Sequence, residues 1–287
     1  MIDPAAVVAR VRELPALSTS VLRVHALVRD PRSSAADLEQ AIRPDPALTA
    51  NVLRIANSAY FGLRCRAGSV RQAVALLGTR RLSEIAAAAA LAPILPQRLA
   101  GYEMAAAEFW RHSVAVAVFA ERIAAALSFQ ATDGLFTAAL LHDVGKLAIA
   151  SCVDGAAPEI LARARHGVAL VDAERAALGV DHAEVGAAVA EAWHLSPAAA
   201  ATARWHHAPG AAAGTPHRRA VAIVHLADGL AHVLGLGADV GELARTVDPG
   251  VQDVVGLDGT ALERIAAASV EEISELARSL APAGRSA

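Results

Sequence analysis

Seven of the eleven histidines lie between His112 and His207, and one of them is followed directly by an acid in the apolar segment LLHDVGKLAI. Burying the His142–Asp143 pair is costly unless each side chain has a partner, and a divalent cation partners both at once. Neighbours on an α-helix diverge by ~100°, so both can serve one centre only by gripping it from different sides, or by Asp143 giving one oxygen to each of two ions. A helix-terminal histidine with a capping aspartate is the ordinary alternative. The neighbourhood favours the metal. Glu108 and His112 share a helical face one turn apart, His182 opens a helix, His206 and His207 close another, and Asp228 lies in the apolar run AIVHLADGLAH.

This mixed imidazole and carboxylate set suits one or two divalent ions, Fe or Mn foremost, with Zn, Mg or Ni also accommodated. Without a cysteine ligand it does not read as a structural thiolate zinc site. Lys146 is the only lysine, standing among 25 arginines one helical turn after His142. A compact ammonium there can neutralise a phosphate oxygen, a task the wider guanidinium does not duplicate, whereas a plain helix-end charge is the alternative. Lys146 and Asp143 are therefore the candidate catalytic groups. His25, His166, His194 and His217 lack an acid at useful spacing and read as surface or packing residues. His225 and His232 stand at i−3 and i+4 from Asp228, which fits packing or a supporting role behind a ligand.

Helices must position these groups. The chain has 287 residues, 55% of them apolar, with 72 alanines and only 3% aromatics, which points to an all-α fold of closely approached helices. Helix signals recur: a capping-box-like Ser34–Asp37, Asp45–Pro46 and Ser196–Pro197 as N-cap with Pro at N1, and Gly78 as a stop. The pattern predicts helices near 4–13, 18–29, 35–43, 46–57, 69–77, 80–94, 103–127, 133–150, 157–166, 171–178, 182–194, 197–207, 217–234 and 259–281. No strand pattern or fixed-period repeat stands out.

Charge divides the chain. Residues 1–100 carry 13 arginines and 7 acids, a balance of +6, whereas 101–287 carry 12 arginines, one lysine and 22 acids, a balance of −9. The Pro- and Gly-punctuated stretch 93–101 reads as the junction between two lobes. Dispersed arginines, including Arg64, Arg66, Arg71, Arg80 and Arg81, and few aromatics argue against nucleic-acid binding and for solvated surface or a partner-binding face. The longest charge-free apolar stretch, Ile85–Pro96, falls short of the ~20 residues of a membrane span, and Met1-Ile2-Asp3-Pro4 does not begin a signal peptide. The expectation is a soluble cytoplasmic protein. Cys65 and Cys152 form no disulfide framework and read as ordinary thiols.

The ordered segments LPALSTSVLRV, DPALTANVLRIANSAYFG, SVRQAVALLGTRRL, FWRHSVAVA, LLHDVGKLAI, DHAEVGAAVAEAWHLSP and WHHAP resemble the HDOD (HD-related output domain) family of bacterial signalling proteins over about residues 14–235. The resemblance implies an N-terminal helical lobe (1–100) packed on an HD-like multi-helix domain (101–235), with 236–287 as a helical extension. It also implies signal transduction through a protein partner. The related HD-GYP phosphodiesterases cleave cyclic di-GMP at a centre of two or three metals. By that pattern His112, His142, Asp143 and Asp228 match a first metal site, His182, His206 and His207 a second, with Asp143 bridging. Glu108 matches an extra acid and Lys146 the lysine that contacts phosphate. The chain departs from the pattern after His206-His207, where Ala208-Pro209-Gly210 replaces any glutamate or Gly-Tyr-Pro loop.

Two readings result. One is a regulatory module that keeps an HD-type metal site and docks a signalling partner, with a nucleotide or phosphate as a modulating ligand. The other is a metal-dependent phosphohydrolase acting on a nucleotide or cyclic dinucleotide, with Lys146 offsetting charge on phosphate. A metal that merely ties helices together is a third, structural role.

Overall fold

The computed structural model describes residues 19–30, 32–91, 98–99, 101–129, 134–151, 153, 155–237 and 246–280. The helix expected at 4–13, Cys152 and most of the junction at 93–101 lie outside them. The fold is all-α: α1 (Thr19–Arg29), α2 (Ala35–Ile42), α3 (Pro46–Ala56), α4 (Val70–Leu91), α5 (Ala106–Ala126), α6 (Leu135–Leu140), α7 (Gly145–Ala150), α8 (Ala157–Arg165), α9 (Leu170–Leu178), α10 (His182–Ala192), α11 (Pro197–Trp205), α12 (Arg218–Val233), α13 (Gly250–Val255) and α14 (Gly259–Leu280). A two-residue antiparallel pair, β1 (Arg98–Leu99) with β2 (Met104–Ala105), precedes α5. Neither this pair nor α13 was anticipated from periodicity, because elements this short carry less than two helical turns or one strand alternation.

The described residues divide into two compact units, one holding α1–α4 and the second half of α14, the other holding 98–269. In the first unit, local chemistry fixes the helix starts. Ser34 and Asp37 form a reciprocal capping box, with the Ser34 N–H donating to Asp37 Oδ2 at 2.8 Å and the Asp37 N–H to Ser34 Oγ at 3.3 Å. Asp45 Oδ1 accepts from the Leu48 N–H at 2.9 Å, with Pro46 at N1, and the face beyond buries Leu48, Val52 and Ile55. Asp45→Ala is expected to cost ~1 kcal/mol, read as a shifted denaturation midpoint, whereas Asp45→Ser should retain most of that stability. Gly78 adopts φ 84° and ψ 164°, far from helical values, so Val70–Leu91 is two helices meeting at a break there, as the helices expected at 69–77 and 80–94 with a stop at Gly78 require. Several arginines of this lobe are partnered: Arg71 donates to Glu39 at 2.9 Å, and Arg80 and Arg81 to the buried Glu84 at 3.3 and 3.1 Å.

In the second unit, α5 is buried over most of its length and packs against α6 and α12, while α10 packs against α7 and α11. Small residues allow the approach. An added Cβ on Gly145 would stand 2.0 Å from the His182 carbonyl oxygen and 2.6 Å from the Gly186 nitrogen, so α7 and α10 touch backbone to backbone. The single helix expected at 133–150 is instead two, α6 and α7, separated by turns at 141–144. His142 and Asp143 lie on that break. A continuous helix would have sent adjacent side chains ~100° apart; the break removes that constraint.

Candidate metal centre

Five elements of the second unit bring imidazoles and carboxylates together. His112 comes from α5, His142 and Asp143 from the break, His182 from the first turn of α10, His206 and His207 from the end of α11, and Asp228 from α12. They form two ligand groups, His112/His142/Asp228 and Asp143/His182/His206/His207, the donor atoms of each lying within 4.8 Å of one another. Asp143 faces both. Its Oδ2 lies 3.5 Å from His142 Nε2 and 3.9 Å from His112 Nε2, while its Oδ1 lies 3.3 Å from His182 Nε2 and 3.4 Å from His206 Nε2. Asp228 Oδ1 lies 3.1 Å from His112 Nε2 and 3.7 Å from His142 Nε2.

The far nitrogens decide how these rings are oriented. His112 Nδ1 donates to the Leu236 carbonyl at 3.1 Å, His142 Nδ1 to that of Ala139 at 2.7 Å, and His206 Nδ1 to that of Ala203 at 2.8 Å. A carbonyl only accepts, so Nδ1 carries the proton, and in the Nδ1–H tautomer Nε2 presents a lone pair. Those lone pairs face carboxylate oxygens, which are also acceptors. His112 Nε2, His142 Nε2, His206 Nε2 and Asp143 Oδ1 are buried with no partner in hydrogen-bond geometry. Leaving such an atom unsatisfied costs ~1–3 kcal/mol. Acceptors converging on acceptors in a buried space are what a divalent cation reconciles, so the donor set fits a metal.

The electrostatics agree. Burial would raise the Asp143 pKa, but the Lys146 ammonium, 2.7 Å from Oδ2, is the foremost opposing influence, and the carboxyl is held well below the usual carboxylate range. Burial pushes His206 down to about 4, against the opposing pull of Asp143, so this ring is neutral with its lone pair available. His182 is raised to about 9: burial works to lower it, and the carboxylates of Glu174 and Asp143 prevail. His182 Nε2 and His207 Nε2 are 2.8 Å apart, a separation that requires a proton between them, in a position where a cation would otherwise serve.

Of the eight residues expected as ligands, seven meet here and Glu108 does not. Its side chain is exposed and accepts from the Ala105 N–H at 2.9 Å, capping α5 at its N-terminus. The shared face with His112 was correct, but Glu108 lies in the first helical turn, where a carboxylate serves the unpaired amides. Lys146 is buried with its ammonium on Asp143. His225 stands behind a ligand: its Nε2 accepts from the Asp248 N–H at 2.9 Å, so its Nδ1 donates to the His206 carbonyl at 2.6 Å. His232 Nε2 lies 3.3 Å from Asp228 Oδ1. Two polar residues escaped the sequence reading. Glu174, fully buried, accepts from His182, and Tyr102 donates to Glu174 at 2.7 Å. The only available signal was an acid eight positions before a ligand histidine, a spacing with no helical meaning across Gly179.

Comparison with known proteins gives this geometry a family. The HDOD domain profile matches residues 14–209. An uncharacterized protein of Treponema pallidum (strain Nichols) is 26% identical over 195 residues, 64% of this chain and 36% of that protein, so the chain spans little more than a third of that relative. Two solved structures match nearly end to end. One is a protein of Shewanella amazonensis SB2B provisionally named a phosphohydrolase, with 26% identity, TM-score 0.76 and coverage of 96% of this chain and 98% of that one. Another is an HDOD domain protein of unknown function from Geobacter sulfurreducens, with 25% identity, TM-score 0.75 and coverage of 97% and 98%. A family profile spanning most of the sequence, matched by neighbours that share the whole fold, places this chain in the HDOD family.

Proposed function

We propose that this HDOD protein is a signalling module built around a two-ion divalent-metal centre, and that it works by engaging a protein partner or a small ligand rather than by turning over a substrate. The observation that carries the metal reading is Asp143, one oxygen toward each ligand group. His112, His142, Asp143 and Asp228 would hold one ion, and Asp143, His182, His206 and His207 the other, with Fe or Mn suited foremost to such donors. Bound divalent ions supply Lewis acidity and balance the buried carboxylates.

Two features of the chain favour docking over turnover. The ammonium of Lys146 is buried and committed to Asp143 at 2.7 Å, so it balances a ligand instead of facing a phosphate. Among the donors only His207 is partly exposed; the others have at most 2% of their side chains exposed. Buried ligands set the spacing of α5, α10, α11 and α12, and that spacing can be reported at the surface to a partner. The phosphohydrolase reading draws its support from the same bridging carboxylate, which two-metal hydrolytic centres also require.

Elemental analysis and a phosphodiester assay on one preparation separate the readings. Stoichiometric metal with no cleavage of bis(p-nitrophenyl) phosphate or cyclic dinucleotides is the expected result. Cleavage that scales with metal content would establish the enzyme, and absence of stoichiometric metal would reject both readings. Chelation should also lower the thermal midpoint. A site held at a hundred times its Kd contributes about 2.7 kcal/mol, so at ~2–4 °C per kcal/mol its loss should cost ~5–10 °C, recovered on adding Mn²⁺.

A further inference from the structure

We infer that Glu174, held in place by Tyr102, is a positioning residue that makes the ligand group of His182 the tighter of the two cation sites. The inference rests on the metal reading above and adds an order to the two ions. Glu174 sits on α9 with no exposed surface and accepts three hydrogen bonds. Oε2 accepts twice from His182, from its backbone N–H at 2.8 Å and from Nδ1 at 2.7 Å, while Oε1 accepts from the Tyr102 hydroxyl at 2.7 Å. One carboxylate thus fixes both ends of the same residue. The backbone N–H belongs to the first turn of α10, where amides lack helical partners, and the ring nitrogen sets the rotation that aims Nε2 at Asp143 Oδ1, 3.3 Å away.

None of His112, His142 and His206 has a counterpart. His112 and His142 rest on the neutral carbonyls of Leu236 and Ala139, and His206 on those of Thr202 and Ala203. A charged acceptor behind an imidazole forms the stronger hydrogen bond and makes the opposite nitrogen the better donor to a cation. Of these four imidazoles only His182 has one. Tyr102 extends the support, since its ring also stands 5.8 Å from the Lys146 ammonium that pairs with Asp143. Both oxygens of Glu174 are thereby satisfied, Oε2 by His182 and Oε1 by Tyr102, which is why a buried carboxylate is tolerated at this place.

The test is a calorimetric titration of Mn²⁺ into the metal-stripped full chain. The wild type should show two affinity classes, and His112→Ala should remove the weaker. Glu174→Ala should weaken the tighter class by ~10–100-fold and leave the other within about threefold. Glu174→Gln keeps an acceptor oxygen for His182 without the charge and should fall between the two, and Tyr102→Phe should give the mildest weakening of the same class. Unchanged affinities in Glu174→Ala would overturn the inference while leaving the metal centre intact. So would equal weakening of both classes with a lowered melting temperature of the metal-free protein, which marks a merely structural role. A wild type that takes up no Mn²⁺ would instead overturn the metal reading, and this inference with it.

Discussion

Asp143→Ala is expected to empty both cation sites and to destabilise the fold by ~3–5 kcal/mol, the range for a buried charge that loses its partner. Two effects combine. The carboxylate is common to both ligand groups, with Oδ2 facing His142 and His112 and Oδ1 facing His182 and His206, so no single-site variant removes as much. It also neutralises the Lys146 ammonium, which is fully buried 2.7 Å away. A double variant separates the two effects. Asp143→Ala with Lys146→Met should recover much of the stability, because the unpaired ammonium has gone, but none of the metal. His217→Ala, on a residue outside both ligand groups, should bind metal like the wild type. Equal metal content in Asp143→Ala and His217→Ala would reject the assignment of Asp143 as the shared ligand.

Gly145→Ala should be nearly as damaging, and for a reason unrelated to charge. The added methyl would meet the carbonyl oxygen of His182 at 2.0 Å and the backbone nitrogen of Gly186 at 2.6 Å, and neither is the end of a flexible side chain. Backbone must move. Overpacking commonly costs ~1–3 kcal/mol, and a clash between two backbones belongs at or above the top of that range. The displacement falls where α7 and α10 meet, so it would draw Asp143 away from His182, which are now 3.3 Å apart. The expected outcome is a lowered thermal midpoint together with weaker metal binding. Gly155→Ala, where a Cβ meets nothing within 4 Å, is the matched control and should be close to neutral.

Much of the helical scaffold was legible in the chain. Ser34, Asp45 and Ser196 cap helices as their types and positions require, because a cap is settled within three residues of itself. Burial of Leu48, Val52 and Ile55 follows from a spacing that repeats every turn. Gly78 was legible as a helix stop, and its φ of 84° and ψ of 164° break the chain into a helix on either side. The ordered segments carried the family, and with it the identities of the seven imidazole and carboxylate residues that the structure draws together.

What the sequence by itself determined, then, is everything set by neighbours within a turn or two: the helices, their caps, and which residue types could serve a cation. What only the tertiary structure decided is which of those residues meet. It broke the expected helix at His142 and Asp143, directed the two oxygens of Asp143 to separate imidazole groups, left Glu108 at a helix terminus, and brought Glu174 and Tyr102 behind His182. The physical reason is range. Capping and periodicity act over a few residues, whereas a ligand's aim depends on how helices from distant parts of the chain approach, and that is fixed by contacts such as Gly145 against Gly186 that have no local signature.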